Sequence, residues 1–440
     1  NSEQAGTDAP LGLLGRGWRL SYETDLYVTG TQLHVVQADG TRLVFAPDPA
    51  RAGHYRHPDP ARGSISASSR TGAGPHVATY RWSWPDGRTL DFDARGKLIQ
   101  IRMPTGEFLS LARGLDGELV KVTDPQGRSL TFEYAPRSSR GFRGVVAITS
   151  PLGRFTYAHQ NERTRPGLSN LVAASHPDGT VRRYHYGADA DEAAPAWPHH
   201  LTGISLTGPA AAQTGAEAGE RRLSTYAYDR SGRAVMSVRG TPRTLDESGQ
   251  PRPDTGIEQV DLEFVAPDRT VLTNSLGQRT TYRHTRIRGD PRLLEAIGPG
   301  CARCGETNVR YQYDASGRLA RITRLDPAGL PVVATTLARD HAGRVLRRSL
   351  QPFVGGKALP ERLLARYEYA DDSPRPVLIA RPSVVPEREH RLQLAYNAAG
   401  QITRLVERGF SPLDADGEPI DDPRRATPIE RGSTFSYSRI

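Results

Sequence analysis

Cys301-Ala302-Arg303-Cys304-Gly305 is one of the few places in this 440-residue chain where residue type and spacing could do chemistry. Two thiolates three positions apart can converge on one tetrahedral zinc ion, but they supply only half of a site, and the chain has no other cysteine. His54/His57 and His199/His200 are distant candidates for the other half. Redox use calls for a thioredoxin-like βαβ context, which the surrounding residues lack. An ordinary turn is therefore expected, with a disulfide or redox pair and a metal ligand set as alternatives. Asp414-Ala415-Asp416-Gly417-Glu418 invites a calcium reading. Placing Gly417 at the glycine position of an EF-hand loop puts Pro412 and Pro423 where carboxylates are required, so that reading fails. The Gly-x-Ser-x-Gly, His-Glu-x-x-His and P-loop patterns are absent. We expect no catalytic residue, no metal site and no cofactor.

The charge balance is basic, with 58 Lys+Arg against 49 Asp+Glu, a net +9. Lysine occurs only at Lys97, Lys121 and Lys357, so the excess is arginine. The longest basic runs are pairs such as Arg182-Arg183 and Arg347-Arg348, scattered among acids. Nucleic-acid binding concentrates such residues in a patch or arm, so no specific nucleic-acid partner is expected. No apolar run approaches the roughly 18 residues of a membrane helix. Asn1 to Pro10 lacks a charged and then an apolar region, so no signal peptide is expected. With asparagine first, the chain reads as a processed or excised piece of a longer protein.

The elements that would position these residues are strands. Turn glycines fall at Gly87, Gly96, Gly106, Gly117 and Gly127, at hairpin spacing. Between them Leu90 and Phe92, or Leu130, Phe132 and Tyr134, alternate with polar residues, giving each strand one apolar and one polar face. The turns share a chemistry. Asp229 with Gly232, Asp314 with Gly317, Asp340 with Gly343, and Asn397 with Gly400 each put an acceptor three residues before a glycine. The acceptor can gather amides of the turn, and the glycine tolerates positive φ, closing a type I turn with a bulge.

A second repeat sets two aromatics one residue apart: Phe132/Tyr134, Phe155/Tyr157, Tyr184/Tyr186, Tyr226/Tyr228, Tyr311/Tyr313, Tyr367/Tyr369 and Phe435/Tyr437. The spacing places a row of rings on one face of successive strands, as a cross-strand stacking seam or, alternatively, a platform for a sugar or base. Gly208 to Gly219, Leu245 to Thr255 and Asp414 to Pro428 read as surface loops, and Asn1 to Pro10 as a flexible end. We expect one repeat-built array, with 1–150 a less regular N-terminal part and 151–440 the regular part. At ten to twelve residues per strand and turn the chain supplies on the order of 30 strands. An open twisted sheet rarely exceeds about 10 strands, so such a ribbon must close, stack or spiral. No fixed propeller period is present.

Tyr313-Asp314-Ala315-Ser316-Gly317-Arg318-Leu319 and its relatives resemble the YD repeats of the RHS family. Leu14-Gly15-Arg16-Gly17-Trp18-Arg19-Leu20-Ser21-Tyr22-Glu23 resembles the segment that opens the RHS region in bacterial polymorphic toxins. The resemblance covers nearly the whole chain. It implies an antiparallel hairpin ribbon spiralling into part of a hollow β-cocoon around a C-terminal toxin domain, as in secretion-system effectors and the shells of Tc insecticidal toxins. The chain departs from full-length members in lacking the C-terminal core signature, a toxin domain and a trafficking region. Family members often self-cleave with two neighbouring Asp-Pro-x-Gly motifs. The two matches here, at Asp124 and Asp326, lie far apart in ordinary repeat context, and we expect them to be turns.

The leading functional expectation is a non-catalytic shell that sequesters and helps deliver a toxin. Its partners would be the C-terminal toxin cargo, the remainder of the shell, and a secretion-system spike, as for a type VI effector, or a cognate toxin-complex subunit. Such a protein is made in the bacterial cytoplasm and exported within a larger effector. The alternatives are a cell-surface carbohydrate-binding or adhesion module and, third, a β-propeller enzyme.

Overall fold

Strand after strand ends where an aspartate or asparagine gathers the amides of the next turn. At Asp229, Oδ1 accepts from the Ser231 and Arg233 amides at 2.8 and 3.0 Å. Gly232, at φ 74°, returns its N–H to the Asp229 carbonyl, a conformation that strains any side chain. The Arg233 amide, helped by its guanidinium, holds the Asp229 carboxyl below the usual carboxylate range against desolvation. Asp314 with Gly317, Asp340 with Gly343, and Asn397 with Gly400 close their turns in the same way.

The computed structural model describes residues 11–69, 78–136, 141–160, 168–187, 197–208, 219–242, 244, 256–301, 303–371, 373–398, 400–411, 413, 417–422 and 425–437. Of the segments expected to be loops or a flexible end, 1–10, 209–218, 245–255, 414–416 and 423–424 lie outside the described residues. The protein is all-β, with 32 strands in one antiparallel sheet and no α-helix among the described residues. A 3-10 turn, Pro60–Arg62, is capped by Asp59. Each strand pairs with the next in the chain, as between Ser129–Tyr134 and Val145–Ser150 or between Glu389–Tyr396 and Ile402–Phe410. The exception is a two-residue flap, Lys357–Ala358, on the strand Val345–Val354, whose edge then pairs with Arg362–Tyr369. The first and last strands do not pair with each other, so the sheet is open.

Among the described residues, only the N-terminal third has a two-layer core. Strands β1 (Asp25–Thr29), β2 (Gln32–Val36) and β3 (Arg42–Pro47) fold back over the wall that follows them. Leu26, Leu33, Val35, Leu43 and Phe45 face Ile65, Trp82, Phe92, Leu98, Leu119 and Phe132. Burying such a side chain contributes about 1.5–3 kcal/mol, so this face anchors the molecule. A strap, residues 11–24, crosses the same wall further along. The Leu13 carbonyl accepts from the Val145 amide at 2.7 Å, and the Arg16 amide donates to the Ser169 carbonyl at 3.0 Å.

A smaller cluster of Leu171, Ala174, Tyr184 and Tyr186 ends this core. Beyond it the buried apolar side chains among the described residues are scattered and mostly small, such as Val238, Ala296, Val309, Ala334, Ala380 and Val406. The polar face carries ion pairs between residues directly opposite across strands, such as Arg310–Glu295 at 2.6 Å and Arg408–Glu430 at 3.0 Å. Exposed pairs of this kind add at most about 1 kcal/mol each, so the backbone ladder carries most of this region.

The ribbon meets itself again after a lap. Arg318, in a later turn, pairs with Asp59 at 2.8 Å, and Arg62 lies 3.9 Å from Asp290. Arg375 Nη2 donates to the Asp86 carbonyl at 2.6 Å, joining residues 289 positions apart. Asp59 and Asp86 sit in connections on one edge of the ribbon, whereas on the other Arg318 and Arg375 sit in turns and Asp290 opens the strand that follows one. Folding a ribbon over brings one edge against itself. Joining opposite edges requires a helical lap, which is the geometry of a coiled wall.

Candidate functional site

The paired aromatics mark a recurring structural device. Tyr134 Oη donates to the Leu119 carbonyl at 2.9 Å, and Tyr186 Oη to the Leu171 carbonyl at 2.7 Å. Tyr228 reaches Leu201, Tyr313 reaches Leu293, Tyr369 reaches Val345 and Tyr437 reaches Ile402. Each is the second aromatic of its pair, and Tyr396 does the same to Pro376. At Tyr134, Tyr186, Tyr228, Tyr313, Tyr369 and Tyr396 the ladder slips register one residue before the ring. The hydroxyl ties the ring to the preceding strand, while the slip lies in the ladder with the following one. Bulges bend and twist the strand that carries them, so their repetition curls the ribbon. Burial pushes the Tyr134 phenol up to about 12, keeping it a donor.

The first members of the pairs are placed differently. Phe132 and Tyr184 are buried, against Tyr22 at 6.5 Å and Trp18 at 4.6 Å between ring centroids. Tyr226, Tyr311 and Tyr367 are half-buried on the sheet. Among the described residues the ring contacts of the pairs run to strap and loop aromatics, while six of the second tyrosines, Tyr157 not among them, bond a carbonyl of the sheet. Tyr313→Phe should therefore cost about 1 kcal/mol by urea denaturation, the worth of one hydrogen bond. Tyr311→Phe, measured alongside, should be near neutral.

Under the strap lies a cavity of about 310 Å³, lined by Arg16, Trp18, Tyr186, His199, His200 and Tyr228 among others. Trp18 Nε1 donates to Tyr186 Oη at 2.7 Å. His199 Nδ1 donates to Asn170 Oδ1 at 2.9 Å, and His200 Nε2 to the Gly232 carbonyl at 3.2 Å. Burial, with the Arg16 charge and His200 beside it, pushes His199 down to about 4. Burial also lowers His200. These histidines, weighed from sequence only as distant metal ligands, lie instead beneath the strap.

The two Asp-Pro-x-Gly aspartates sit in separate turns. Asp124 Oδ1 accepts from the Gln126 and Arg128 amides, and Asp326 Oδ1 from the Leu330 amide at 2.8 Å. The structure does not bring them together as a dyad. Among the described residues no group of three or more His, Cys, Asp and Glu is placed to hold a metal ion. Cys301 and Cys304 are joined as a disulfide, with Cα atoms 5.0 Å apart, which the turn expectation did not require. Cys301 and Arg303 help to line a cleft of about 670 Å³.

No family model matches the chain. In sequence it is 26% identical over 213 residues to the double-stranded DNA deaminase toxin A of Burkholderia cenocepacia (strain H111), an alignment covering 46% of the chain. Among solved structures, the crystal structure of TcdB2-TccC3 aligns with 94% of the chain at 12% identity and a TM-score of 0.42. The Photorhabdus luminescens Tc holotoxin pore aligns with 94% at 11% identity and a TM-score of 0.35. The chain spans 13% of the deaminase toxin and about a quarter of the solved chains.

Proposed function

We propose that this chain is a stretch of the wall of an RHS/YD-type shell, which sequesters a toxin domain carried elsewhere in the same polypeptide and helps deliver it. The observation that carries the reading is the lap, in which Arg318 and Arg375 on one ribbon edge grip Asp59 and the Asp86 carbonyl on the other. A curled wall of one polypeptide encloses volume without a second chain, and the sequence likeness to a protein named as a toxin is consistent with a toxin cargo. In this reading 1–150 is the anchored start of the wall and 151–440 its single-layer continuation. The stretch is non-catalytic, and its partners are the cargo, the remainder of the shell, and a secretion spike or toxin-complex subunit that receives it on export.

The test uses the full-length protein. The wild-type cargo should resist protease under conditions that digest the isolated cargo. Arg318→Ala with Arg375→Ala, which removes two grips and leaves the strand ladder intact, should make it cleavable several-fold faster at unchanged far-ultraviolet circular dichroism. Cargo digested equally fast in both proteins, or images showing a flat or unenclosed sheet, would remove the shell reading.

A further inference from the structure

We propose that the Cys301–Cys304 disulfide is a thiol–disulfide exchange site acting on a cysteine-bearing, extended polypeptide segment that lies in the cleft beside it. The site does not depend on the wall enclosing anything.

The disulfide is held in place by the sheet. It lies in the connection between the strands Asp290–Ile297 and Val309–Tyr313. Gly298 N–H donates to Asn308 Oδ1 at 3.0 Å, and Gly300 N–H to Thr280 Oγ1 at 2.7 Å. Asn274 Nδ2 donates to the Gly300 carbonyl at 2.8 Å, and the Cys304 amide to the Cys301 carbonyl at 3.1 Å. Gly298 and Gly300 take positive φ, and a Cβ on Gly298 would meet the Arg279 carbonyl at 2.5 Å, so this path admits only glycine there. Both sulfur-bearing residues are partly exposed.

The cleft suits an extended chain. It forms where the ladder between the strands Ala234–Arg239 and Ile257–Ala266 slips register between Ser237 and Arg239. Glu258 sits there at φ 55°, and Val238, Glu258 and Gln259 drop out of the register. Leu223, Val260 and Leu276 add apolar wall, and Ser224 and Asn274 add polar contacts. Its volume of about 670 Å³ lies within the usual range of ligand sites. The register break thus leaves an apolar floor flanked by polar side chains, on which one segment of chain can lie across the strands.

The chemistry is directional. Cys301 is among the residues lining the cleft and Cys304 is not. A substrate thiolate, its proton given to water, attacks Cys301 Sγ, and the bond to Cys304 breaks. Cys304 leaves as a thiolate and takes a proton from water, and on the cleft side the Arg303 cation favours the approaching thiolate beside Cys301. A second thiolate of the same segment then attacks the first substrate sulfur and expels Cys301. The segment loses two electrons and two protons, which reappear as the two protein thiols, so one exchange needs no other reagent.

The test uses the single-cysteine variants Cys304→Ser and Cys301→Ser, each reacted with a cysteine peptide of apolar flanking sequence activated as its thionitrobenzoate disulfide. Thionitrobenzoate release from Cys304→Ser should be about ten-fold faster than from Cys301→Ser, because only Cys301 faces the cleft. The peptide should outpace activated glutathione, and Leu276→Asp in the Cys304→Ser background should remove that advantage. The oxidised wild-type chain, mixed with a reduced dithiol peptide, should return one peptide disulfide per chain by mass. Equal rates for the two variants, no preference for peptide over glutathione, or a wild-type disulfide that fails to exchange would each overturn the site.

Discussion

Trp82→Ala is expected to lower the unfolding free energy by about 3–5 kcal/mol, as truncating a fully buried aromatic does. The side chain is 0% exposed and lies between the layers, 5.5 Å from Phe45 of β3 and 3.8 Å from Trp84 by ring centroids. Its loss removes the transfer free energy of the ring and leaves a void that rigid strands on both sides cannot collapse into. It also removes the Nε1 donor to the Arg62 carbonyl at 2.7 Å, leaving that oxygen unpaired. Arg62 belongs to the Pro60–Arg62 turn beside the lap contact with Asp290, so the variant should loosen that grip as well. The check is a urea titration: the midpoint should fall with little change in slope, and Trp84→Ala, at a half-buried ring, should cost less. A loss below about 1 kcal/mol for Trp82→Ala would mean that the two layers do not depend on one another.

Acidification is expected to release the strap. In the folded protein His199 takes its proton only near pH 4, whereas the ordinary histidine value is 6.5. Between those values the unfolded chain binds the additional proton, so this contribution is complete above pH 6.5 and fades as the pH falls towards 4. The difference corresponds to about 3 kcal/mol. Burial gives the direction first, and the groups facing the ring add to it: Arg16 and His200 offer no negative charge, and Asn170 is neutral. Carboxylates act in a separate, lower window. Glu389, held at about 2 by Arg366, contributes above the ordinary carboxylate range and loses that contribution as the pH falls towards 2. Urea titrations from pH 7 to 4 should show the slope, and His199→Gln, which keeps a donor for Asn170, should flatten it. Protease cleavage within residues 11–24 should rise over the same interval in the wild type. An unchanged slope in His199→Gln would assign the acid sensitivity to other groups.

The hairpin succession was open to reading because its causes are local. Asp229, Asp314, Asp340 and Asn397 gather amides two to four residues away, and glycine at the turn satisfies a conformation no neighbour need dictate. Alternation over five or six residues then assigns each strand its faces. The tyrosine pairs also stood out in the sequence, but as a stacking row. That Tyr313 would spend its hydroxyl on the Leu293 carbonyl depends on how the preceding strand lies beside it, which alternation does not register. The strap cavity was harder still, because Arg16 and His199 meet only after the intervening strands have curved.

The amino-acid order alone determined an all-β chain of about 30 consecutive antiparallel strands, their turn chemistry and the tyrosines that recur along them. The tertiary structure alone decided which of many arginines join the laps, that β1–β3 cover Trp82, that two histidines lie beneath the strap, and that Cys301 borders a cleft. The division follows the range of the forces. Turn closure and face alternation act within a few residues, whereas the lap from Asp59 to Arg318 is the sum of small twists over the strands between them, and no single residue along the way encodes that sum.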